Sequence, residues 1–229
     1  MPKSALRAPR NRAISAEAKF ERRGQILHAA DELLKRHGYS AVSVAEVAKQ
    51  AGVAKGTVYL YFKTKEEIYL GLHQLWVDRR LDAFAALLQD SRHSHNGTAI
   101  GTAMAEVMLS DVHGLVTAST CHSLMETQIE IEAAFEFKLK LAQRLGTLGW
   151  QIEQHFPHLT PGSGARLLVR AYATTLGLWQ LMDTSSRWRE LETAVGLEVF
   201  NADFATELRA AMIALWRGAL DDLPIRKSR

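Results

Sequence analysis

Residues 51–67 read Ala51-Gly52-Val53-Ala54-Lys55-Gly56-Thr57-Val58-Tyr59-Leu60-Tyr61-Phe62-Lys63-Thr64-Lys65-Glu66-Glu67. Gly52 interrupts one short helical run, and a second short helix over 55–61 follows it. The run before the glycine opens on Ser43-Val44-Ala45-Glu46, a capping box in which the serine oxygen accepts an early helix amide and the glutamate reaches back to the cap. That box predicts a helix over 44–50. A second box, Thr64-Lys65-Glu66-Glu67, predicts a long helix carrying Ile68, Leu72, Leu75 and Trp76. Short helix, glycine turn, short helix is the local grammar of a helix-turn-helix. Val44, Val47, Ala48, Val53, Val58 and Phe62 are its expected small core.

Upstream, residues 18–37 place Phe20, Ile26, Leu27, Ala30, Leu33 and Leu34 on one helical face, with Arg22, Arg23, Lys35 and Arg36 largely off it. Gly38 suits a left-handed C-cap for that helix. Downstream, residues 90–98 form a polar loop, and helices of open boundary run through 99–126. A long helix over 128–155 ends before Pro157. Thr160 and Pro161 start another, proline being well tolerated in a first turn, with Ala165, Leu168, Val169, Tyr172, Leu176 and Trp179 at its apolar positions. After a loop near 183–200, Phe204, Leu208, Ala211, Met212, Leu215 and Trp216 repeat the pattern in a final helix over 203–219. No strand and no internal repeat is legible. The expected fold is all-α: a basic flexible tail over 1–17, a three-helix domain over 18–65 containing the helix-turn-helix, and a larger helical domain over 66–229.

Composition narrows the function classes. At 229 residues with 47% hydrophobic and 23% charged residues, the chain has enough apolar surface to offset chain entropy, which excludes a wholly disordered protein. No apolar run is long enough to span a membrane, and the basic N-terminus lacks the apolar core of a secretory signal. The single cysteine, Cys121, forms no internal disulfide, which suits a reducing cytoplasm. The net charge of +3 conceals a polarity: of 28 Lys/Arg and 25 Asp/Glu, residues 1–65 hold 13 and 5, leaving 15 and 20 for the rest. A basic N-terminal quarter on an acidic body is the footprint of an end that meets a polyanion, although basic ends also serve membranes and acidic proteins.

The segment Ala51–Glu67, together with the long helix and Gly-Tyr-Ser junction between Arg23 and Val47, closely resembles the DNA-binding region of the TetR family over residues 18–69. The rest of the chain resembles that family in layout. Leu124-Met125-Glu126, Phe135-Glu136-Phe137-Lys138 and Leu176-Gly177-Leu178-Trp179 look like one of its common C-terminal subtypes. The resemblance implies a homodimer that binds double-stranded operator DNA and responds to a small-molecule effector, most simply a repressor released from a palindromic site. An accessory DNA-binding protein answering to a protein partner is the alternative; an internal apolar pocket would favour the former and a closed core the latter.

The residue chemistry of the DNA end agrees with the resemblance. A recognition helix lies in the major groove while the preceding helix is braced on the backbone. Gly56 leaves room for close approach, and Lys55 and Lys65 bracket the helix as phosphate partners. Tyr59 and Tyr61 offer hydroxyls to phosphates, Ser43 and the start of its helix can hold one, and Thr57 is the candidate for a base edge. Two positions depart from the family: Ala54 stands where serine or threonine is usual, removing a cap worth about 1 kcal/mol, and Leu60 stands where tyrosine or histidine is common. Lys3, Arg7, Arg10 and Arg12 suit either extra phosphate contacts or a merely solubilising tail.

In the family the last two helices form a four-helix dimer interface. That implication assigns Leu168, Tyr172, Trp179, Leu208, Met212 and Trp216 to the interface, the other reading being that both stripes face the subunit's own core. Met104, Met108, Met125, Phe135, Trp150 and Trp179 are candidates to line an adaptable apolar effector pocket, with His122 and Glu126 as its polar members and His113 as a further one. His93-Ser94-His95 lacks a carboxylate or cysteine at ligand spacing, so no metal is expected, and no cofactor. Cys121 beside His122 is not a dyad, because neighbours on a helix point in different directions. No catalytic motif is present, so the chain does not read as an enzyme.

Overall fold

The computed structural model describes residues 8–37, 42–90, 96–182 and 202–221, and every regular element among them is a helix. They are α1 (Ala8–His37), α2 (Val44–Gln50), α3 (Lys55–Tyr59), α4 (Lys65–Gln89), α5 (Gly97–Leu109), α6 (His113–Thr127), α7 (Ile131–His155), α8 (Ser163–Met182) and α9 (Phe204–Leu220). α1 starts at Ala8, so residues 8–17 are helical where a flexible tail was expected. That stretch has good helix formers but no apolar period, and Pro9 suits a first turn. The tail cations Lys3 and Arg7, the C-cap expected at Gly38, and His93 and His95 lie outside the described residues.

The chain divides into two units. The first takes in residues up to Leu72 with Thr127–Ile129, and the second the remainder from His73. In the first unit Ile26, Leu27, Ala30, Leu33 and Leu34 of α1 are buried, as are Val47, Ala48, Val58 and Phe62 of the helix-turn-helix. Val44 and Val53 are half-buried at its edge. Phe20, expected on the buried stripe, is exposed. Cover over α1 begins one turn later, where the Arg23 guanidinium sits 5.0 Å over the Phe62 ring and is itself partly desolvated.

In the second unit α5 crosses α9 at very short range. A β-carbon on Gly101 would lie 2.7 Å from the Ile213 Cα, a distance real side chains do not reach, so glycine is what lets the two backbones meet. The core beside this crossing joins α4, α5, α6, α7, α8 and α9, with Phe84 and Trp216 rings 5.4 Å apart. Leu208, Met212 and Trp216 are fully buried within the subunit and Leu168 almost so. This corrects their assignment to a dimer interface. The apolar stripe of α9 serves the subunit's own core, where each such side chain contributes about 1.5–3 kcal/mol by leaving water. Tyr172 and Trp179 are half-buried, Trp179 meeting Phe204 edge-on at 5.3 Å.

Candidate nucleic-acid interface and ligand cavity

The helix-turn-helix forms as its local chemistry dictates. Glu46 donates its amide to Ser43 Oγ at 3.3 Å while its carboxylate accepts the Ser43 amide at 2.8 Å, completing the capping box. The Ser43 hydroxyl also donates to that carboxylate at 2.8 Å, and this bond, with the one from the Ser43 amide, holds the Glu46 carboxyl below its ordinary range. Ser43 is therefore a cap with its side chain engaged. Gly52 turns the chain at φ 66°, the left-handed region that favours glycine. α3 then starts at Ala54 with no side-chain cap, as the departure from the family's usual residue implies. At α4 the Glu67 amide donates to Thr64 Oγ1 at 3.1 Å, and the Glu67 carboxylate accepts from the Lys63 amide at 2.7 Å, one residue earlier than a strict box.

This geometry leaves α3 open on one side. Tyr59 and Leu60 are exposed, and a β-carbon on Gly56 would meet nothing within 4 Å, so the space there is free for another molecule. Lys55 lies along the Tyr59 ring, its Nζ 5.9 Å from the centroid. Thr57 and Tyr61 are half-buried. Lys65 is half-buried with its Nζ 5.6 Å over the Tyr69 ring. Lys55, Gly56, Tyr59 and Leu60, the last standing where the family commonly has tyrosine or histidine, thus share the open side of α3, whereas Ser43, Thr57, Tyr61 and Lys65 are more engaged with their own unit.

The second unit contains a cavity of about 220 Å³. That exceeds the roughly 150 Å³ of an engineered apolar cavity able to hold benzene and falls short of the roughly 300 Å³ at which drug-sized sites begin. Four of the expected residues line it: Met104, Met108, His122 and Met125. The other four do not. Phe135 and Trp150 point away from it on the exposed face of α7, Trp179 is occupied by Phe204, and Glu126 is exposed and pairs with His122 at 3.6 Å. Sequence reasoning missed His73, Trp76 and Arg80 of α4, Phe137 of α7 and Tyr172 of α8, all in the wall. Their signal was present. Positions 73, 76 and 80 recur on one helical face, and three of that helix's larger polar or aromatic side chains fall there.

Trp76 and Arg80 anchor α4 to the turn between α5 and α6. The Trp76 indole Nε1 donates to the Asp111 carbonyl at 3.0 Å. Arg80 donates to the Val107 carbonyl at 3.0 Å, to Ser110 Oγ and to the Asp111 carboxylate at 3.3 Å. His73 is buried among the Trp76, Phe137 and Tyr172 rings, and burial lowers its pKa to about 4, so it is neutral at ordinary pH. Burial likewise pushes the Cys121 thiol and the Tyr172 phenol up to about 12. A fully buried, protonated Cys121 next to an exposed His122 has no nucleophile chemistry.

Residues 26–72 match the family described as bacterial regulatory proteins, tetR family, and residues 74–222 match the tetracyclin repressor-like C-terminal domain, which is more than half of the chain. The fatty acid metabolism regulator protein of Bacillus subtilis (strain 168) is 54% identical over 48 residues, covering 21% of this chain and 25% of the relative. The HTH-type transcriptional activator FasR of Mycolicibacterium smegmatis is 43% identical over 68 residues, covering 30% and 31%. The match thus spans about a quarter to a third of these relatives' length. Among solved structures, Thermus thermophilus FadR, a TetR-family transcriptional repressor in complex with lauroyl-CoA, shares the fold with a TM-score of 0.55 at 19% identity, covering 90% of this chain and 100% of that one. Bacillus subtilis FadR in complex with stearoyl-CoA does so with a TM-score of 0.52 at 20% identity, covering 85% and 97%.

Proposed function

Because the chain belongs to the tetR family of bacterial regulatory proteins, and is a transcriptional regulator rather than an enzyme, we propose that it binds a palindromic operator through α3 and releases it when a small, largely apolar molecule fills the cavity of the second unit. One observation carries this reading. α4 starts at the end of the helix-turn-helix and, as the same continuous helix, supplies His73, Trp76 and Arg80 to the cavity wall. A ligand that displaces those side chains acts on the helix leading directly out of the DNA-binding motif. For a near-complete switch it must prefer the released state by about 5.5 kcal/mol. The cavity favours this reading over control by a protein partner, for which a closed core was the expected sign.

The acyl-CoA ligands of the two FadR proteins support an acyl-chain compound as the effector class. Methionines at 104, 108 and 125 give the wall the adaptability that a flexible chain needs. Such a regulator acts where bacterial DNA is, in the cytoplasm.

Reading a palindrome takes two copies. With Leu208, Met212 and Trp216 interior, the face we assign to the second copy is the outer side of α7, where Ile131, Phe135, Leu139 and Trp150 are exposed. Ala142 and Gly146 complete that stripe, also exposed. Turned end for end, the stripe sets Phe135 opposite Gly146 and Leu139 opposite Ala142, large against small. That self-complementarity is what a two-fold, antiparallel pairing of α7 requires.

The test is selection of bound fragments from sheared genomic DNA by the purified protein, with the Tyr59→Ala variant alongside. A recovered palindrome that the variant loses supports the reading, and the genes beside it indicate the effector's chemistry. No enrichment over non-specific DNA at moderate salt would turn the assignment toward the partner-controlled alternative.

A further inference from the structure

Three buried side-chain atoms among the described residues lack a hydrogen-bond partner: His73 Nδ1, Arg80 Nε and Trp216 Nε1. Trp216 is sealed in the core, but His73 and Arg80 both stand in the wall of the cavity. They are seven residues apart on α4, hence on one face and about 10 Å apart along its axis. Unsatisfied buried polar atoms are rare in folded proteins; neither of these is open to water as the cavity stands, so an acceptor reaches them only when a ligand displaces the α4 side chains of the wall.

The atom types give the answer. The Tyr172 hydroxyl lies 3.5 Å from His73 Nε2. If the phenol donates to Nε2, the neutral ring carries its proton on Nδ1 and one donor is left over. If Nε2 donates instead, both Nδ1 and the phenol proton are stranded in an apolar surround, which costs more. The first arrangement is the one favoured, so His73 Nδ1–H is a donor without an acceptor. Arg80 Nε–H is a donor by necessity. Every aromatic ring recorded against His73, those of Trp76, Phe137 and Tyr172, is also in the cavity wall. A plain hydrocarbon would leave both donors unmet.

We propose that these donors on α4 select effectors whose apolar chain carries acceptor oxygen, and that His73 Nδ1–H is the specificity-determining contact, made to a carbonyl of an ester, thioester or ketone. The inference rests on the ligand-cavity reading above and adds to it which chemical group the cavity recognises. The imidazole is neutral because burial disfavours its charge, so the contact takes an uncharged carbonyl without needing a counter-ion.

The test uses the full-length protein with two probes of equal chain length, 2-nonanone and nonane, each delivered from cyclodextrin and followed by tryptophan fluorescence. Nitrogen-15 correlation spectra of the His73 ring at pH 7 are recorded alongside. The wild type is expected to bind 2-nonanone roughly tenfold more tightly than nonane, and the His73 Nδ1 proton to shift with the ketone only. In His73→Phe the two probes should bind within about twofold of each other, and His73→Gln, which keeps an amide donor, should restore part of the preference. An undiminished preference in His73→Phe, or a wild-type ring with no proton on Nδ1, overturns the proposal while leaving the cavity as a ligand site. If neither probe alters fluorescence or ring spectra, the cavity reading fails and this inference with it.

Discussion

The indole of Trp76 lies over the backbone of Gly114, so close that a β-carbon at 114 would fall inside the ring's van der Waals envelope. The indole cannot swing aside freely, because its Nε1 is bonded to the Asp111 carbonyl and the side chain is buried. A wall residue of the cavity is therefore fixed by a glycine in the second position of α6. Gly114→Ala should destabilise the protein by about 1–3 kcal/mol through overpacking, and should weaken binding of any cavity ligand. Urea denaturation gives the first effect as a lower midpoint at unchanged slope. A variant as stable as the wild type would show that the two helices are farther apart than described.

On the DNA side, Lys55 and Tyr59 are expected to act differently. Lys55→Ala should lower the slope of log affinity against log salt by about 1, as one phosphate neutralisation is lost. Tyr59→Ala should weaken operator binding roughly tenfold or more, with a smaller change in that slope, since a neutral hydroxyl to a phosphate is lost. Fluorescence anisotropy on the selected operator at several salt concentrations separates the two.

His73 makes stability depend on pH in a defined window. Its folded value of about 4 lies below the ordinary 6.5, so as pH falls the unfolded chain takes up the proton first. Stability should be level above pH 6.5 and decline from there toward pH 4, by roughly 3 kcal/mol for this group. His73→Phe should remove that component. Urea midpoints of both proteins at pH 7.5, 5.5 and 4.5 check it, and parallel declines would mean that the imidazole is not buried as described.

The α7 face predicts its own disruption. Phe135→Asp places a charge on the exposed stripe proposed to meet a second copy and should shift the sedimentation mass from dimer to monomer at micromolar concentration. Because Phe135 is exposed in the subunit, its circular dichroism and melting as a monomer should show an intact helical fold. An unchanged dimer would move the interface to other surfaces of α8 and α9.

How much of this was legible depends on the range over which each feature is encoded. The starts of α2 and α4 follow from hydrogen bonds spanning three residues, Ser43 with Glu46 and Thr64 with Glu67, and such pairs are written within one short stretch of sequence. The start of α1 at Ala8 was not legible from periodicity, because those residues form helix without an apolar stripe. Met104, Met108, His122 and Met125 were found by side-chain type. Phe135 and Trp150 are of equally suitable type but sit on the opposite face of α7, and residue type does not say which face a neighbour covers.

Caps, glycine turns and apolar periods are local and act within a few residues, so the all-α class, the helix-turn-helix and the order of the helices are encoded along the chain. Which stripe became core and which remained surface was settled by the packing of helices distant in sequence. Leu208, Met212 and Trp216 carry a pattern that suits an interface equally well, and they are interior because Gly101 lets α5 close over α9. The pairing of His73 on α4 with Tyr172 on α8, ninety-nine residues apart, is likewise a product of helix packing. An apolar stripe specifies that it will be buried; what it is buried against depends on the shapes of surfaces that meet only in the folded chain.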